Sequence, residues 1–204
     1  MTVPTAPSTL HHDIVHLEGF TQAQLGWVPW LEPESIDALG ERHYAGLVDR
    51  GRAASDYFRL LVRDPEILEA RTRVDKDIFY NLEGGLPRAE RELAATAASR
   101  LNGCVFCASV HSRFAAHYSK RADEVQRLLD EGVGVRLDER WDAIVDAAAA
   151  VTRVPFALTP EHVGRLRAVG LDDLAIADVI HGAAFFNWAN RLMLSLGEPV
   201  APGE

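Results

Sequence analysis

From Pro65 onward, proline and glycine recur at intervals of one helix length, and no segment between them alternates apolar and polar residues as a half-buried strand would. A chain punctuated in this way can bury its apolar faces only by packing helix on helix, which predicts an all-α bundle. Asp64-Pro65 starts one helix, with proline in the first turn, and the run ends at Gly84-Gly85. The next starts at Pro87 and stops at Asn102-Gly103, two residues that tolerate the left-handed conformation of a helix stop. Further helices are predicted from Cys104 to about residue 120, at about 123–132, through DERWDAIVDAAAAVTRV, from the Thr159-Pro160 cap, and through the apolar stretch that follows Asp172. The alanines at 94, 95, 97 and 98 and the run Ala147–Ala150 predict helices packed at close range. Residues 1–33, with Pro4, Pro7, Pro29, Pro33, Trp27 and Trp30, are predicted to form an irregular arm that lays its aromatics on the body or on another subunit. Residues 34–204 then form a single all-α domain.

Composition limits what such a bundle does. The chain has 204 residues, 48% of them hydrophobic, enough for one sizeable core. Its net charge of −9 repels nucleic acid and anionic membrane surfaces. No stretch approaches the ~20 apolar residues that span a bilayer. The N-terminus lacks a basic start followed by an apolar run, so a cytoplasmic location is expected. In a reducing compartment a close cysteine pair is more often redox-active or metal-binding than a permanent staple.

The only two cysteines, Cys104 and Cys107, lie in GCVFCASVHSRFAAH, with His111 four residues beyond the second. With Gly103 as a stop, both cysteines fall in the first turn of a new helix. There the free backbone N–H groups and the positive end of the dipole favour a thiolate. Cys104 and Cys107 form an i,i+3 pair and Cys107 and His111 an i,i+4 pair, so all three share a face. The i,i+3 spacing puts the cysteine Cα atoms roughly 5 Å apart, within the range of a disulfide. Two other readings fit the same residues. The cysteines could be small hydrophobes packed beside a core imidazole. They could also hold zinc, but tetrahedral zinc wants four ligands, and the chain has no second Cys-x-x-Cys and no His-x3–5-His, His117 lying six residues past His111. No cofactor and no metal are expected.

Read backward from Cys104, the preceding helix contributes Glu92. The combined pattern, in ERELAATAASRLNGCVFCASVH, is a glutamate, eleven residues, Cys-x-x-Cys, three residues and a histidine. This resembles the AhpD-like alkylhydroperoxidases within the carboxymuconolactone decarboxylase superfamily of all-α proteins, best over about residues 65–120. The C-terminal HGAAFFNWANRLMLSLGEP is similar to the ending of the peroxidase-related subgroup. The resemblance implies an AhpD-like helical bundle and a peroxidase that reduces organic hydroperoxides. It implies Cys107 as the cysteine that attacks the peroxide and becomes a sulfenic acid, Cys104 as the one that resolves it to an intramolecular disulfide, and His111 and Glu92 as a proton relay, often through a water. A thiol or an adaptor protein would be the reductant, and the assembly a homotrimer or homohexamer. The first-turn dipole argument alone favours Cys104 as the thiolate; proximity to His111 favours Cys107. Well-studied members carry a histidine between the cysteines, where this chain has Phe106, which points to a more apolar site. A general thiol-disulfide oxidoreductase, a carboxymuconolactone decarboxylase-like enzyme and a non-catalytic helical assembly protein are the alternatives; the decarboxylases do not depend on a cysteine pair.

Outside that pattern, Glu90 and Glu92 flanking Arg91 read as an ordinary solvated helix face. His181, Asn187, Asn190 and Arg191 interrupt the apolar last helix. They are expected to cap neighbouring helix ends and satisfy buried carbonyls, with a cavity or subunit contact as the alternative. His11, His12 and His16 are expected on the arm.

Overall fold

A computed structural model describes residues 17, 19–83 and 85–201. His11, His12, His16, Pro4 and Pro7 lie outside them. Helices dominate, as the punctuation requires. Asp64 caps α3 (Pro65–Tyr80), its side chain accepting from the Ile67 N–H, with Pro65 in the first turn. α4 spans Arg88–Asn102 and ends at Gly103, whose φ of 77° is left-handed. α5 (Val105–Ser119) follows at once, with Cys104 as its N-cap. α6 (Ala122–Glu131), α7 (Glu139–Thr152), α8 (Pro160–Ala168) and the 24-residue α9 (Asp173–Leu196) complete the set.

Two expectations need correction, and one stretch without an assigned element is filled in. α3 stops at Tyr80, before Gly84-Gly85, because the buried Arg91 gathers the carbonyls of Ile78, Asn81 and Leu86 and so draws the chain out of the helix. Gly85 then crosses at φ 75°, where any Cβ would sit 2.0 Å from Asp178 Oδ2, the atom that accepts from the Leu86 N–H. The unassigned stretch, residues 34–64, holds two short helices, α1 (Glu41–Leu47) and α2 (Asp56–Leu61), together with 3-10 turns at Ile36–Ala38 and Arg50–Ala54. They are too short to show a period. Gly46 lets α1 meet the start of α3, its missing Cβ lying 2.6 Å from the Pro65 carbonyl oxygen. The second correction is that two strands exist: β1 (Gly26–Pro29) pairs antiparallel with β2 (Gly197–Val200), Gly26 opposite Val200 and Pro29 opposite Gly197. At four residues each, with a proline in both, neither carries readable alternation. The pairing fastens the arm to the end of α9, and Trp27 meets Tyr57 edge-on with centroids 5.5 Å apart.

α4 lies at the centre, packed against α5, α7 and α9. Every residue from Glu90 to Ser99 is buried, and the four alanines expected to permit close packing are fully covered. The solvated-face reading of Glu90–Glu92 is therefore overturned: this face points into the protein. Each charge there has a built partner, Glu90 with Arg140 at 2.6 Å, Arg91 with Asp178 at 3.5 Å, and Glu92 with Arg88 at 2.6 Å. Pairing of this kind offsets the cost of taking a charge out of water. Among the described residues no helix is long and apolar enough to cross a membrane.

Candidate active site

The left-handed turn at Gly103 reverses the chain between α4 and α5, which sets Glu92 of α4 opposite His111 of α5. Glu92 is completely buried, and its two oxygens are divided: Oε1 accepts from Arg88 Nε at 2.6 Å, and Oε2 lies 2.5 Å from His111 Nδ1. Arg88 in turn donates to the Phe79 carbonyl and lies over the Tyr80 ring, 4.3 Å from its centroid. Arg88 is the counter-ion of the Glu92 carboxylate, and a carboxylate at Nδ1 assigns the ring proton to that nitrogen. Nε2 is left with its lone pair free to accept a proton. Phe186, edge-on at 4.1 Å centroid to centroid, and Phe79, tilted at 5.1 Å, pack against the imidazole and against each other.

His111, Glu92, Arg88 and Cys107 all line one cavity of about 690 Å³, with walls from β1, the Arg52–Phe58 segment, α3, α4, α5 and α9. Cys104 does not line it. Cys104 lines a second, smaller cavity of about 150 Å³ beside β2, and Phe106, Trp27 and Met193 border both spaces. Phe106, which lies between the cysteines in the chain, thus helps to separate their surroundings.

Both thiols are free and buried. They are hydrogen-bonded to each other, Cys107 donating. That bond holds Cys104 below the ordinary thiol range, helped by the Cys107 backbone N–H and by Asn190 against the opposing effect of burial. The same bond pushes Cys107 well above that range, and burial adds to the rise, while Asn190 and the positive charge of Arg71 act to lower it. The pair shares a proton, so its first ionisation belongs to both sulfurs, with charge resting on Cys104. The direction agrees with the dipole argument, Cys104 being the helix cap, but its largest cause is the sulfur pair and not the helix end.

The structure therefore gathers Cys107, His111 and Glu92 around one space and sets Cys104 behind Cys107. Two further residues, Arg88 and Arg71, escaped the sequence reading, and Asn190, expected chiefly to cap a helix end, has a larger part. Asn190 is wholly buried and does more than cap a helix end: it touches both sulfurs, donates to Ser99 Oγ at 3.0 Å, and accepts from Asn102 at 3.0 Å. Asn187 also accepts from Asn102, at 3.1 Å, and donates to the Ala183 carbonyl, while Arg191 donates to the Asn187 carbonyl. Both carbonyls belong to α9 itself, so these two residues do not cap the backbone of a neighbouring helix end as expected; Asn187 meets the ends of α4 and α7 only through the side chains of Asn102 and Thr152, and His181 is exposed. Arg88 carried a signal in its i,i+4 spacing to Glu92. Arg71 carried none, as an arginine amid the charges of α3. Among the described residues no group of three or more His, Cys, Asp or Glu side chains is arranged to hold a metal.

Residues 65–152 match the carboxymuconolactone decarboxylase family, a span that runs from α3 through α7 and includes Glu92, both cysteines and His111. No curated protein matches the sequence. Among solved structures, a peroxidase-related protein with an alkylhydroperoxidase AhpD core from Ralstonia eutropha JMP134 superimposes with TM-score 0.71 at 21% identity, over 83% of this chain and 90% of its own. A peroxidase-related protein from Silicibacter sp. TM1040 gives TM-score 0.68 at 24% identity, over 98% and 96%. The debrominase Bmp8 gives 0.64 at 17% identity, over 80% and 87%; a cysteine-to-alanine form of that protein is known in complex with 2,3,4-tribromopyrrole. The site-bearing helices thus match the carboxymuconolactone decarboxylase family, and the fold of the chain is AhpD-like.

Proposed function

We propose that the protein is a two-cysteine peroxidase that reduces organic hydroperoxides. The observation that carries this reading is the placement of Cys107 in the wall of a cavity it shares with an imidazole whose Nδ1 is held by a buried, charge-compensated carboxylate. His111 Nε2 accepts the proton released when the pair ionises. Shift of the bridging proton from Cys107 to Cys104 then moves the thiolate onto the sulfur that faces the cavity. Cys107 attacks the terminal oxygen of R–O–OH, the O–O bond breaks, and the alkoxide leaves as R–OH after taking the proton from His111. Cys107 is now a sulfenic acid. Cys104, one helical turn away, attacks its sulfur, and water leaves as the disulfide forms. Two electrons have passed from the thiols to the peroxide, and an external dithiol or an adaptor protein returns them. The exposed apolar residues Leu31, Ile67 and Trp188, which line a groove beside α9, suit the homotrimeric or homohexameric assembly expected from the resemblance.

A second reading has its own support in the lowered Cys104. A thiol-disulfide oxidoreductase would use Cys104 as the attacking sulfur from the smaller cavity and Cys107 as the resolving one. Intact-mass measurement separates the two. The reduced protein, exposed briefly to a stoichiometric organic hydroperoxide, should lose two hydrogens, and Cys104→Ser should trap a sulfenic acid on Cys107. An unchanged wild-type mass would remove the peroxidase reading. A mixed disulfide trapped on Cys104 in Cys107→Ser, with no sulfenic acid in Cys104→Ser, would install the alternative.

A further inference from the structure

On the α3 side the same cavity is lined by two guanidinium groups, Arg52 and Arg71, and one carboxylate left to serve both, Asp75. Asp75 Oδ2 is 3.5 Å from Arg52 Nη2 and 3.6 Å from Arg71 Nη1, the second too long for a hydrogen bond. The other charges on the wall are taken: Asp56 by Arg59, Glu92 by Arg88 and His111. Arg71 is 8% exposed, and its Nε and Nη1 are buried with no hydrogen-bond acceptor. A guanidinium rarely stays buried without one, because each unpaired N–H keeps its desolvation cost. What surrounds it is aromatic, with Phe185 and Phe58 5.2 and 5.6 Å from its carbon. Those ring faces steady the charge and hold the plane of the fork, but they spend none of its in-plane donors.

We infer that Arg71, with Arg52, is the carboxylate-binding end of the substrate site, so that the molecules the protein reduces are organic acids whose apolar body runs along the cavity toward Cys107. A carboxylate fits this vacancy in charge and in shape: it neutralises the surplus guanidinium and accepts two parallel N–H donors from one fork. The cavity has room for such a molecule, being within the size range of small-ligand sites. Phe79, Phe186 and Phe106 line the same space and offer an apolar path between the two ends.

The assignment of a peroxide group to the other end of the ligand rests on the peroxidase reading; the carboxylate site does not. Binding is therefore measured apart from turnover, by calorimetry of the reduced protein with hydrocinnamate and with hydrocinnamamide, which has the same size and no charge. The acid should bind roughly 10- to 100-fold more tightly than the amide, as for hydrogen bonds to a charged group. Arg71→Met should abolish that preference and Arg52→Met should reduce it; if the first variant does not fold, the wild-type pair and Arg52→Met decide. Equal affinities, no binding of either probe, or a preference that persists in Arg71→Met would each overturn the inference. In a second arm, a carboxylate-bearing hydroperoxide is compared with its methyl ester, and kcat/KM should favour the acid by a similar factor. Turnover of neither, with acid-selective binding intact, would remove the peroxidase reading and leave the site. Turnover of both at equal rates, with equal binding, would do the reverse.

Discussion

On the α4–α5 side of the cavity, Glu92 has both oxygens occupied and no exposure to solvent, whereas on the α3 side Arg71 is nearly as buried and its Nε and Nη1 donate to nothing. Both are charges taken out of water, a step that costs several kcal/mol unless it is offset. At Glu92 the offset is complete within the protein: a guanidinium, an imidazole and the aromatic groups around them. At Arg71 it is left open. A site whose partners are all internal can hold one protonation pattern through a catalytic cycle, while a site with spare donors is stabilised further only when something arrives. In the proposed mechanism, the contrast separates the part of the cavity that handles protons from the part that selects molecules.

The sharpest test of the first part is loss of chemistry. Cys107→Ser should bring hydroperoxide turnover to the background rate, because the oxygen nucleophile has no sulfenic acid chemistry to offer. Glu92→Gln should follow, lowering kcat/KM by roughly 100- to 10,000-fold, the range attributed to a positioned acid-base group. The amide removes the charge that balances Arg88 and can present an N–H to His111, which would reverse the tautomer. Rates within a few-fold of wild type for Glu92→Gln would show that the relay is structural.

Stability should divide the two sides in the same sense. Glu92→Ala leaves Arg88 without its carboxylate and should cost about 3–5 kcal/mol, the range for breaking a buried pair by removing one partner. Arg71→Met removes a charge whose N–H groups are unsatisfied and leaves Asp75 its contact with Arg52, so the change should stay within about 1 kcal/mol or be favourable. Urea denaturation of both variants measures this. Equal and large losses would mean that Arg71 is already partnered within the fold.

What could be read from the sequence follows the same division. The helices from α3 to α9 announced themselves through proline, glycine and caps, because their ends are fixed by local backbone chemistry. Glu92 and His111 were legible together only through the resemblance, which fixes their interval; the structure gives that interval its physical sense, since one tight turn at Gly103 sets the consecutive helices α4 and α5 face to face. Arg71 was not legible, and Asn190 showed only as a polar break in the apolar last helix, since they come to the site from α3 and α9, elements whose approach depends on the packing of the whole bundle. The strands failed to show for a related reason. Each has four residues, and the pairing of Gly26–Pro29 with Gly197–Val200 joins segments from opposite ends of the chain. The burial of Glu90–Glu92 defeated a local reading because three consecutive charged residues look solvated until their partners, contributed by α7, α9 and α4 itself, are in place.

Cys107 lies between the two sides, and its ionisation gives the finest test of how they divide the work. In the wild type the hydrogen bond it donates lowers Cys104 and raises Cys107, so the first thiolate should appear below the ordinary thiol range and reside on Cys104. Thiolate absorbance followed against pH in single variants tests the cause. In Cys107→Ala the donor is gone, the burial that opposes ionisation remains, and the midpoint of Cys104 should move up. In Cys104→Ala the largest cause raising Cys107 is gone, Arg71 and Asn190 still act to lower it, and its midpoint should move down. Adding Arg71→Met to Cys104→Ala should then raise Cys107 again, since the remaining positive charge that favours its thiolate is lost. A Cys107 midpoint that ignores Arg71 would confine that arginine to ligand binding. A Cys104 midpoint that ignores the removal of Cys107 would place the source of its acidity in the helix cap and not in the sulfur pair.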